Sequence, residues 1–381
     1  MMLEVSIHCI RCGAAYPSAG VPYRCPECSG LFDYRSLPPF DPAQVDPSQP
    51  GIWRYRHTFG LDPEVEPVTL GEGNTPLVWA KVVQREIAFK CEFLNPSGSF
   101  KDRGSSLIAT TLKSRGVTEA VEDSSGNAGA SFAAYAARAG IKVRIFVPEA
   151  ASGPKRWQIE AYGAELVPVP GPRSEAAAAV RRSADAGGVY ASHAFLPFNL
   201  PGYATTSYEI YEQLGERMPG AVLVPAGQGG LLLGLNRGFD NLRVTTKKGL
   251  LSSGERVRDD SFAPKLIGVQ ASACAPLWAG FFGGQKGPAS VEESPTLAEG
   301  VKVSQPVRGE AVLAAVRGSG GTFVAVEEQA ILPGREALAR LGLYVEPTSA
   351  IVWSALEQVI DRLPDPVVVM LTGSGYKWLP K

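Results

Sequence analysis

The chain has 381 residues, of which 45% are hydrophobic and 20% charged, and its 37 lysines and arginines against 38 acidic residues leave a net charge of −1. This balance disfavours attraction of the whole molecule to nucleic acid or to an anionic membrane surface. No run of about 18 apolar residues is present, and the N-terminus lacks a basic region followed by a long apolar one, so we expect neither a membrane-spanning helix nor a secretory signal.

The first predicted element is a small zinc ribbon over residues 1–36. Four of the six cysteines form two C-x2-C pairs separated by twelve residues, a spacing typical of a tetrahedral zinc site. The predicted ligands are Cys9, Cys12, Cys25 and Cys28. Because all four positions are cysteine, none is left for a catalytic water, and the predicted zinc is structural. The alternative is a ribbon that no longer holds metal.

The cysteines also bear on location and partners. With no predicted secretory signal, cysteines clustered in this way favour a reducing cytoplasm over a disulfide-forming compartment. Residues 1–36 carry three arginines and three acidic residues, so the ribbon lacks the positive excess that binding to nucleic-acid phosphates requires. We therefore expect the ribbon to dock on protein and not on nucleic acid.

After the ribbon, residues 37–51 are rich in proline and predict a linker wrapped over the surface. Apolar runs then alternate with alanine-rich helical patterns. The predicted strands lie at 87–93, 142–148, 164–170, 221–226, 265–271 and 367–373, and the predicted helices at 103–115, 127–139, 154–162, 174–187 and 202–217. This alternation predicts an α/β protein with parallel sheets covered by helices on both faces. The charged segment 240–263 is predicted to be an exposed insertion.

The stretch NPSGSFKDRG, residues 95–104, places one lysine in a distinctive position. Ser97 or Ser99 can cap the helix that follows, which puts Lys101 in its first turn. The helix dipole and desolvation both disfavour an ammonium there, and a neutral amine is what imine formation with an aldehyde requires. Taken alone, the pattern also fits an ordinary solvated lysine near a helix start.

Three further turns each follow a predicted strand. In VPAGQGGLLLG, residues 224–234, backbone N–H groups of the glycine turn can converge on a phosphate at a helix N-terminus. In EDSSGNAGAS, residues 122–131, hydroxyls and an asparagine amide form a polar cradle for a carboxylate or a phenolate oxygen. In MLTGSGYK, residues 370–377, Thr372 offers a hydroxyl at the carboxyl end of a strand, where ligands bind in open α/β sheets. Each stretch also has a purely structural explanation as a turn or helix cap.

Together these stretches resemble the fold type II pyridoxal-phosphate (PLP) enzymes, with their tryptophan synthase β-like fold, and among them the threonine synthase family. The resemblance is carried by the zinc-ribbon start, GEGNTPL (71–77), NPSGSFKDRG, SSGNAG, the glycine turn, EPTSA (346–350) and LTGSG, which run along almost the whole chain. It implies a lyase of amino-acid biosynthesis that forms threonine and phosphate from O-phosphohomoserine and water. It also implies a homodimer.

The resemblance assigns roles to individual residues. Lys101 would hold PLP as an internal aldimine and later move protons at the substrate's α-carbon, Asn127 would hydrogen-bond the 3′ oxygen, and Thr372 would face the pyridine nitrogen. The 5′ phosphate would be cradled by N–H groups of Gly227, Gln228, Gly229, Gly230 and Leu231. The carboxylate of the amino-acid substrate would be bound by Ser124, Ser125 and the Ala128 N–H.

One stretch departs from the family pattern. Threonine synthases often carry an NPxR…GQKT run whose arginine holds the substrate phosphate, and here LPFNLPGYAT (196–205) puts Asn199 in its place. A neutral amide cannot supply a bidentate, charge-assisted contact, although Lys155 and Arg156 are candidates for the missing charge. The alternatives are therefore a β-replacement synthase similar to cysteate synthase, a serine/threonine dehydratase and, outside enzymes, a non-catalytic zinc-ribbon scaffold.

The predicted organisation places PLP between two α/β domains. A large PLP-binding domain is predicted from 52–105 and 191–381, and a small mobile domain from 106–190, with the ribbon at one end. Closure of the small domain over substrate would exclude water from the reacting carbon. His193 precedes the stretch that departs from the family and is a candidate for lining the pocket.

Overall fold

The structure is a computed structural model that describes residues 7–149, 153–247 and 263–379. The strands are β1 (Ile7–Cys9), β2 (Phe32–Tyr34), β3 (Leu77–Val82), β4 (Arg85–Lys90), β5 (Glu119–Glu122), β6 (Lys142–Pro148), β7 (Glu165–Val169), β8 (Ala221–Pro225), β9 (Lys265–Ala271), β10 (Thr322–Val326) and β11 (Val367–Met370). The helices are α1 (Lys101–Ser114), α2 (Asn127–Ala139), α3 (Pro154–Ala161), α4 (Arg173–Asp185), α5 (Asn199–Gln213), α6 (Gly230–Lys247), α7 (Pro276–Phe282), α8 (Gly309–Gly318), α9 (Ile331–Arg340) and α10 (Pro347–Val359).

The largest sheet has six strands in the order β10-β9-β8-β11-β4-β3, and all its pairs are parallel except β3 with β4. Its central strands are apolar on both faces because helices cover both. Val222 and Val224 of β8 share a core with α5 and α6, whereas Leu223 between them shares a core with α10. The predicted parallel α/β architecture is confirmed.

A second, three-stranded parallel sheet has the order β5-β6-β7 and lies within residues 106–190. Its core is formed with α1 and α2, where alanines allow close helix packing, as at Ala130 and Ala133. The six predicted strands and five predicted helices are all present, with ends shifted by a few residues.

Strand β3 was not predicted, and its turn explains why. The β3–β4 hairpin turns at Val83 and Gln84, which both have positive φ, of 46° and 64°. Two-residue hairpin turns of this kind usually carry Asn-Gly or Asp-Gly, so the sequence gives no turn signal here. The strand also lies at the edge of the sheet, and Val78 and Trp79 are exposed.

The prediction of an exposed insertion over 240–263 is wrong for its first part. Helix α6 continues to Lys247, and Leu242 is only 1% exposed in the core. The side chains of Asn241 and Thr245 hydrogen-bond the carbonyl oxygens of Pro38 and Phe40, which fixes the proline-rich segment against α6. Residues 248–262 of the predicted insertion lie outside the described residues.

The loops at the carboxyl ends of β4, β5, β8 and β11 lead toward one cavity. Helix α1 follows β4, α2 follows β5, and α6 follows β8, so three helix N-termini face the same region. This is where an open parallel sheet places ligands. Among the described helices, none combines the length and the apolar character that crossing a membrane requires.

Candidate active site

A cavity of about 460 Å³ lies between the two parallel sheets and brings together most of the predicted site residues. Its volume falls in the usual range for small-molecule sites. The predicted residues that line it are Lys101, Ser124, Ser125, Asn127, Ala128, Lys155, Gly227, Gln228, Gly229, Gly230, Leu231 and Thr372. A larger groove of about 950 Å³ runs along edge strand β10, and none of the predicted site residues lines it.

Lys101 is the first residue of α1 and points its amine into the cavity wall beside the Phe100 ring, 4.8 Å from the ring centroid. The pKa of Lys101 is lowered to about 8, chiefly by burial; the Glu122 carboxyl opposes this shift and the nearby Arg173 guanidinium adds to it. The direction agrees with the prediction of a more readily neutral amine. Such an amine is a better nucleophile toward an aldehyde at neutral pH than an exposed lysine.

Competitive acetylation of the cofactor-free protein should show this difference directly. Only the neutral amine reacts, and below the pKa its fraction changes about tenfold per pH unit. Because the pKa of Lys101 lies at about 8, its labelling rate should rise about tenfold per unit below pH 8 and level off above it. Mass spectrometry of the Lys101 peptide over pH 6 to 10 measures the rate. Lys142, whose side chain is 84% exposed, serves as the internal reference, and identical profiles for both lysines would contradict the prediction.

The glycine turn lies between β8 and the N-terminus of α6, as predicted. Gly229 has φ of +78°, and a Cβ there would clash with a methyl carbon of Val312, so only glycine fits. The Gln228 side chain accepts a hydrogen bond from the Val307 N–H at 3.0 Å, which holds the turn in place. Residues 227–231 line the cavity at the N-terminus of α6, where an anion is favoured.

The polar cradle of residues 124–128 lies at the N-terminus of α2. The Asn127 Nδ2 donates a 2.6 Å hydrogen bond to Glu346 Oε1, while its Oδ1 is buried with no partner among the described residues. Lys155 Nζ lies 2.7 Å from the other Glu346 oxygen. An unsatisfied buried amide oxygen beside a cavity fits a site that a polar ligand completes.

Thr372 closes the cavity at the end of β11. Its backbone N–H donates to Ser349 Oγ at 2.9 Å, and its carbonyl oxygen accepts the Phe100 N–H at 3.0 Å. The side chain is 3% exposed. Both backbone groups of Thr372 are therefore fixed, and so is the start of α1 that carries Lys101.

Comparison with known proteins decides the family of this chain. The sequence profile of the pyridoxal-phosphate dependent enzymes matches residues 68–373. The threonine synthase of Methanosarcina acetivorans is 32% identical over 96% of this chain and 91% of its own length, and that of Methanocaldococcus jannaschii is 32% identical over 97% and 92%. The chain belongs to the threonine synthase family of pyridoxal-phosphate dependent enzymes.

Solved structures agree with this assignment. The threonine deaminase of T.th. superposes with a TM-score of 0.66, covers 80% of this chain and 94% of its own, and is 26% identical. Maize serine racemase, at 21% identity, shares the fold with a TM-score of 0.65 over 79% of this chain and 88% of its own. The predicted fold type II architecture and the resemblance to threonine synthases are confirmed, and the chain is a PLP-dependent lyase.

The cavity of this family member fits the cofactor. The PLP aldehyde needs a neutral amine, and its phosphate needs converging N–H groups. Its ring oxygen needs an amide donor. Lys101, the glycine turn and Asn127 line one cavity. The Asn127 Nδ2 donates one hydrogen to Glu346 and has a second N–H for the ring oxygen. When bound, PLP supplies an electron sink for the pair released at a substrate's α-carbon.

Asn199 does not line the cavity, unlike the other predicted substrate residues. It is 1% exposed at the start of α5, and its Nδ2 donates to the carbonyl oxygen of His193. A Cβ on Gly104 would come within 2.7 Å of the Asn199 Cβ, so the two helices touch here. Asn199 is therefore a packing residue beneath the wall, and the structure corrects its predicted contact with substrate.

The structure adds charged residues that sequence reasoning had not placed in the cavity. These are Arg173 at the start of α4, Glu299, Lys302, Glu346 and Lys377, with Glu122 buried behind the wall against His193. His193 lines the cavity, as suspected from its position in the chain. The signal available in the sequence was Glu122, a carboxyl two positions before Ser124. Burial raises its pKa to about 7, and such shifts are common at functional sites.

Proposed function

We propose that the protein acts on an amino acid with an oxygen substituent on its side chain, by elimination and replacement, as a threonine synthase does with O-phosphohomoserine and water. One observation carries the proposal. Lys101, with its pKa lowered to about 8, shares a cavity with the glycine turn at the N-terminus of α6. A PLP aldehyde and phosphate require these two features together.

The proposed roles are those that the family resemblance implies, and the position of these residues around one cavity supports them. Lys101 binds the cofactor and moves protons at the substrate's α-carbon, and Asn127 donates to the 3′ oxygen. Residues 227–231 hold the 5′ phosphate through their N–H groups. The hydroxyls of Ser124 and Ser125 and the Ala128 N–H bind the substrate carboxylate at the N-terminus of α2, where the helix dipole favours an anion.

Thr372 favours elimination in this proposal. A hydroxyl beside the pyridine nitrogen does not enforce protonation of the ring as a carboxylate would, so the cofactor is a weaker electron sink. Reactions that quickly expel a leaving group from the side chain then compete well with those that need a long-lived carbanion.

The proposed domain division follows the two sheets. The small domain at 106–190 contains β5–β7, and the large domain from 52–105 and 191–381 contains the six-stranded sheet. Lys155 and Asn127 of the small domain both contact Glu346 of the large one. We propose a homodimer in the cytoplasm, in keeping with the family resemblance.

The buried position of Asn199 favours a second candidate. Without an arginine at that position, one cation among the described cavity residues, Arg173, has no described hydrogen-bond or ion-pair partner. Besides Lys101, the cavity lysines are each engaged, Lys155 by Glu346, Lys302 by Glu293 and Lys377 by the Ser97 carbonyl oxygen. A dehydratase acting on serine or threonine makes smaller demands on this end of the cavity, because its substrate carries no phosphate, whereas a β-replacement synthase using O-phosphoserine needs the same cations.

A substrate panel separates these candidates. The PLP-loaded protein is incubated with O-phosphohomoserine, O-phosphoserine, serine and threonine while absorbance, phosphate and keto acids are followed. Threonine and phosphate from O-phosphohomoserine would support the first candidate. Keto acids from serine or threonine would support a dehydratase, and no spectral change with any amino acid would refute an amino-acid lyase.

We also propose that the N-terminal ribbon binds one structural zinc ion. The four sulfur atoms of Cys9, Cys12, Cys25 and Cys28 all lie within 4.8 Å of one another, and a tetrahedron of 2.3 Å Zn–S bonds has edges of about 3.8 Å. The Cys9–Cys28 and Cys12–Cys25 sulfur distances are 3.4 and 3.7 Å. Gly30 completes the fit, since a Cβ there would lie 2.7 Å from the Cys9 sulfur.

Zinc analysis tests this site. The purified protein should contain one zinc per chain, and Cys25→Ser should lose it, because Cys25 is buried and its replacement leaves three thiolates. Cys274→Ser, which changes a buried cysteine far from the ribbon, is the matched control and should retain the metal. Full zinc retention in Cys25→Ser would rule out the site.

A further inference from the structure

Two chain segments that run side by side bring an acid and a histidine to the same point of the cavity wall. Residues 189–191 lie parallel to β5, with the Val121 N–H bonded to the Val189 carbonyl oxygen at 2.8 Å and the Ala191 N–H to the Val121 carbonyl oxygen at 2.9 Å. Both segments end at the cavity. Glu122 and His193, which are 71 positions apart in the sequence, therefore become neighbours.

The His193 ring is held at one end only. Its Nδ1 lies 3.2 Å from Glu122 Oε1, while the other Glu122 oxygen accepts the Ser124 N–H. The His193 carbonyl oxygen accepts the Asn199 Nδ2, so the buried asparagine fixes the backbone beneath the ring. No described residue hydrogen-bonds Nε2, and the side chain, 15% exposed, lines the cavity.

The charges around His193 keep its imidazole neutral. Burial, the Lys101 ammonium of α1 and the Arg173 guanidinium of α4 hold the pKa of His193 well below its usual value, and Asp123 opposes them weakly. Burial also raises the pKa of Glu122 to about 7, so above that pH the carboxylate can accept a hydrogen bond from Nδ1–H. In that arrangement the Nε2 lone pair is free to accept a proton.

We propose that His193 is a further catalytic residue, which accepts the proton of the water that adds to the substrate's side chain, and that Glu122 is its positioning residue. This rests on the proposed function. One O–H bond of the water breaks and its proton goes to Nε2, while the oxygen bonds to the side-chain carbon. The electron pair displaced from that carbon's double bond goes to the α-carbon, which takes a proton from Lys101, and His193 returns its proton to solvent.

The position of the unpaired ring nitrogen distinguishes His193 from the other histidines. His8 and His57 also have one ring nitrogen without a partner among the described residues, but neither residue lines the cavity. In His193 one nitrogen is held by a carboxylate and the other is left to the cavity that contains Lys101. A carboxylate that fixes the tautomer of a histidine is a recurring way to prepare the opposite nitrogen for proton transfer.

The main test compares the amounts of the two products that the His193→Gln variant forms. His57→Gln is the matched control, because His57 is a half-buried histidine away from the cavity. With O-phosphohomoserine, water addition yields threonine, whereas the eliminated product that escapes hydration hydrolyses to 2-oxobutanoate and ammonium. We expect the threonine to 2-oxobutanoate ratio to fall about 10²-fold or more in His193→Gln and to stay unchanged in His57→Gln. An unchanged ratio in His193→Gln would overturn the proposal. Partial unfolding cannot produce the expected result, because the ratio of the two products does not depend on the amount of active protein.

A second measurement needs no turnover. The chain has only three histidines, so nitrogen-15 spectra of the imidazoles at pH 8, assigned with the His193→Gln and His57→Gln variants, report the tautomer of each. We expect an Nδ1–H tautomer for His193 that is lost in Glu122→Met, which has no oxygen to accept the hydrogen bond; an Nε2–H tautomer in the wild type would overturn the pair. If the wild type does not convert O-phosphohomoserine, the proposed substrate is wrong. The tautomer of His193 still shows whether Glu122 and His193 form the proposed pair.

Discussion

Replacing Lys101 by alanine is expected to remove the visible absorption of the PLP-loaded protein and to lower turnover by about 10³-fold or more, the upper part of the range for losing a positioned proton-transfer group. The reason lies in the wall of the cavity. The Lys101 amine has no described hydrogen-bond acceptor, and burial lowers its pKa to about 8. Absorbance spectra and steady-state rates of both proteins measure the effect.

A second lysine of the same cavity provides the matched control. Burial also lowers the pKa of Lys377 to about 8, but its Nζ donates to the Ser97 carbonyl oxygen at 2.8 Å. We therefore expect Lys377→Ala to retain the absorption band. Borohydride reduction followed by peptide mapping should place the cofactor on Lys101, and a label on Lys377 would contradict the assignment.

Replacing Arg103 by methionine is expected to destabilise the fold by about 3–5 kcal/mol, the usual cost of breaking a buried ion pair on one side. Arg103 contacts both oxygens of Glu92 and of Glu209, each at 2.7 Å, and all three side chains are at most 2% exposed. Lys90 Nζ also lies 2.7 Å from Glu209. The variant leaves two buried carboxylates with one cation.

The same group of charges explains why the loss should be large. Although burial opposes ionisation, Arg103 and Lys90 hold the pKa of Glu209 below its usual value, so the carboxylate is charged at neutral pH and Arg103 is the main group that offsets its burial. Urea unfolding at neutral pH measures the free energy of unfolding. Removing the arginine also loosens α1 two residues beyond Lys101, so reduced cofactor affinity should accompany the change.

A surface pair is the matched control for this prediction. Arg54 and Glu212 are as close, at 2.6 Å, but their side chains are 25% and 29% exposed. Arg54→Met should cost about 0–1 kcal/mol, because water replaces much of what the pair provides. Equal losses in Arg54→Met and Arg103→Met would mean that burial does not set the strength of these contacts.

The elements of this protein could largely be predicted from local pattern. Strands such as Lys142–Pro148 and Lys265–Ala271 have the predicted bounds, because an apolar run between turn residues has few other ways to satisfy its backbone. The hairpin at Val83–Gln84 was missed since its residues carry no turn preference. The length of α6 was missed because Asn241 and Thr245 look like surface residues until Pro38 and Phe40 are packed against them.

The site residues likewise fall into those that local motifs predict and those whose position depends on tertiary packing. Short motifs identified Lys101, Asn127, the glycine turn and Thr372, since each of these residues acts through groups that its own turn or helix end positions. Asn199 was misplaced because the direction of a side chain at the start of a helix depends on what packs around it, here the carbonyl group of His193.

By itself, the sequence determined the family and the α/β fold class. It also predicted six of the strands, five of the helices and the residues proposed to bind an aldehyde and a phosphate, because these depend on neighbours within a few positions. Only the tertiary structure decided which distant charges meet. Glu346 reaches Asn127 across 219 positions, and Glu122 reaches His193 across 71. Such contacts depend on how the two sheets are packed together, and their energies come from the burial that this packing creates.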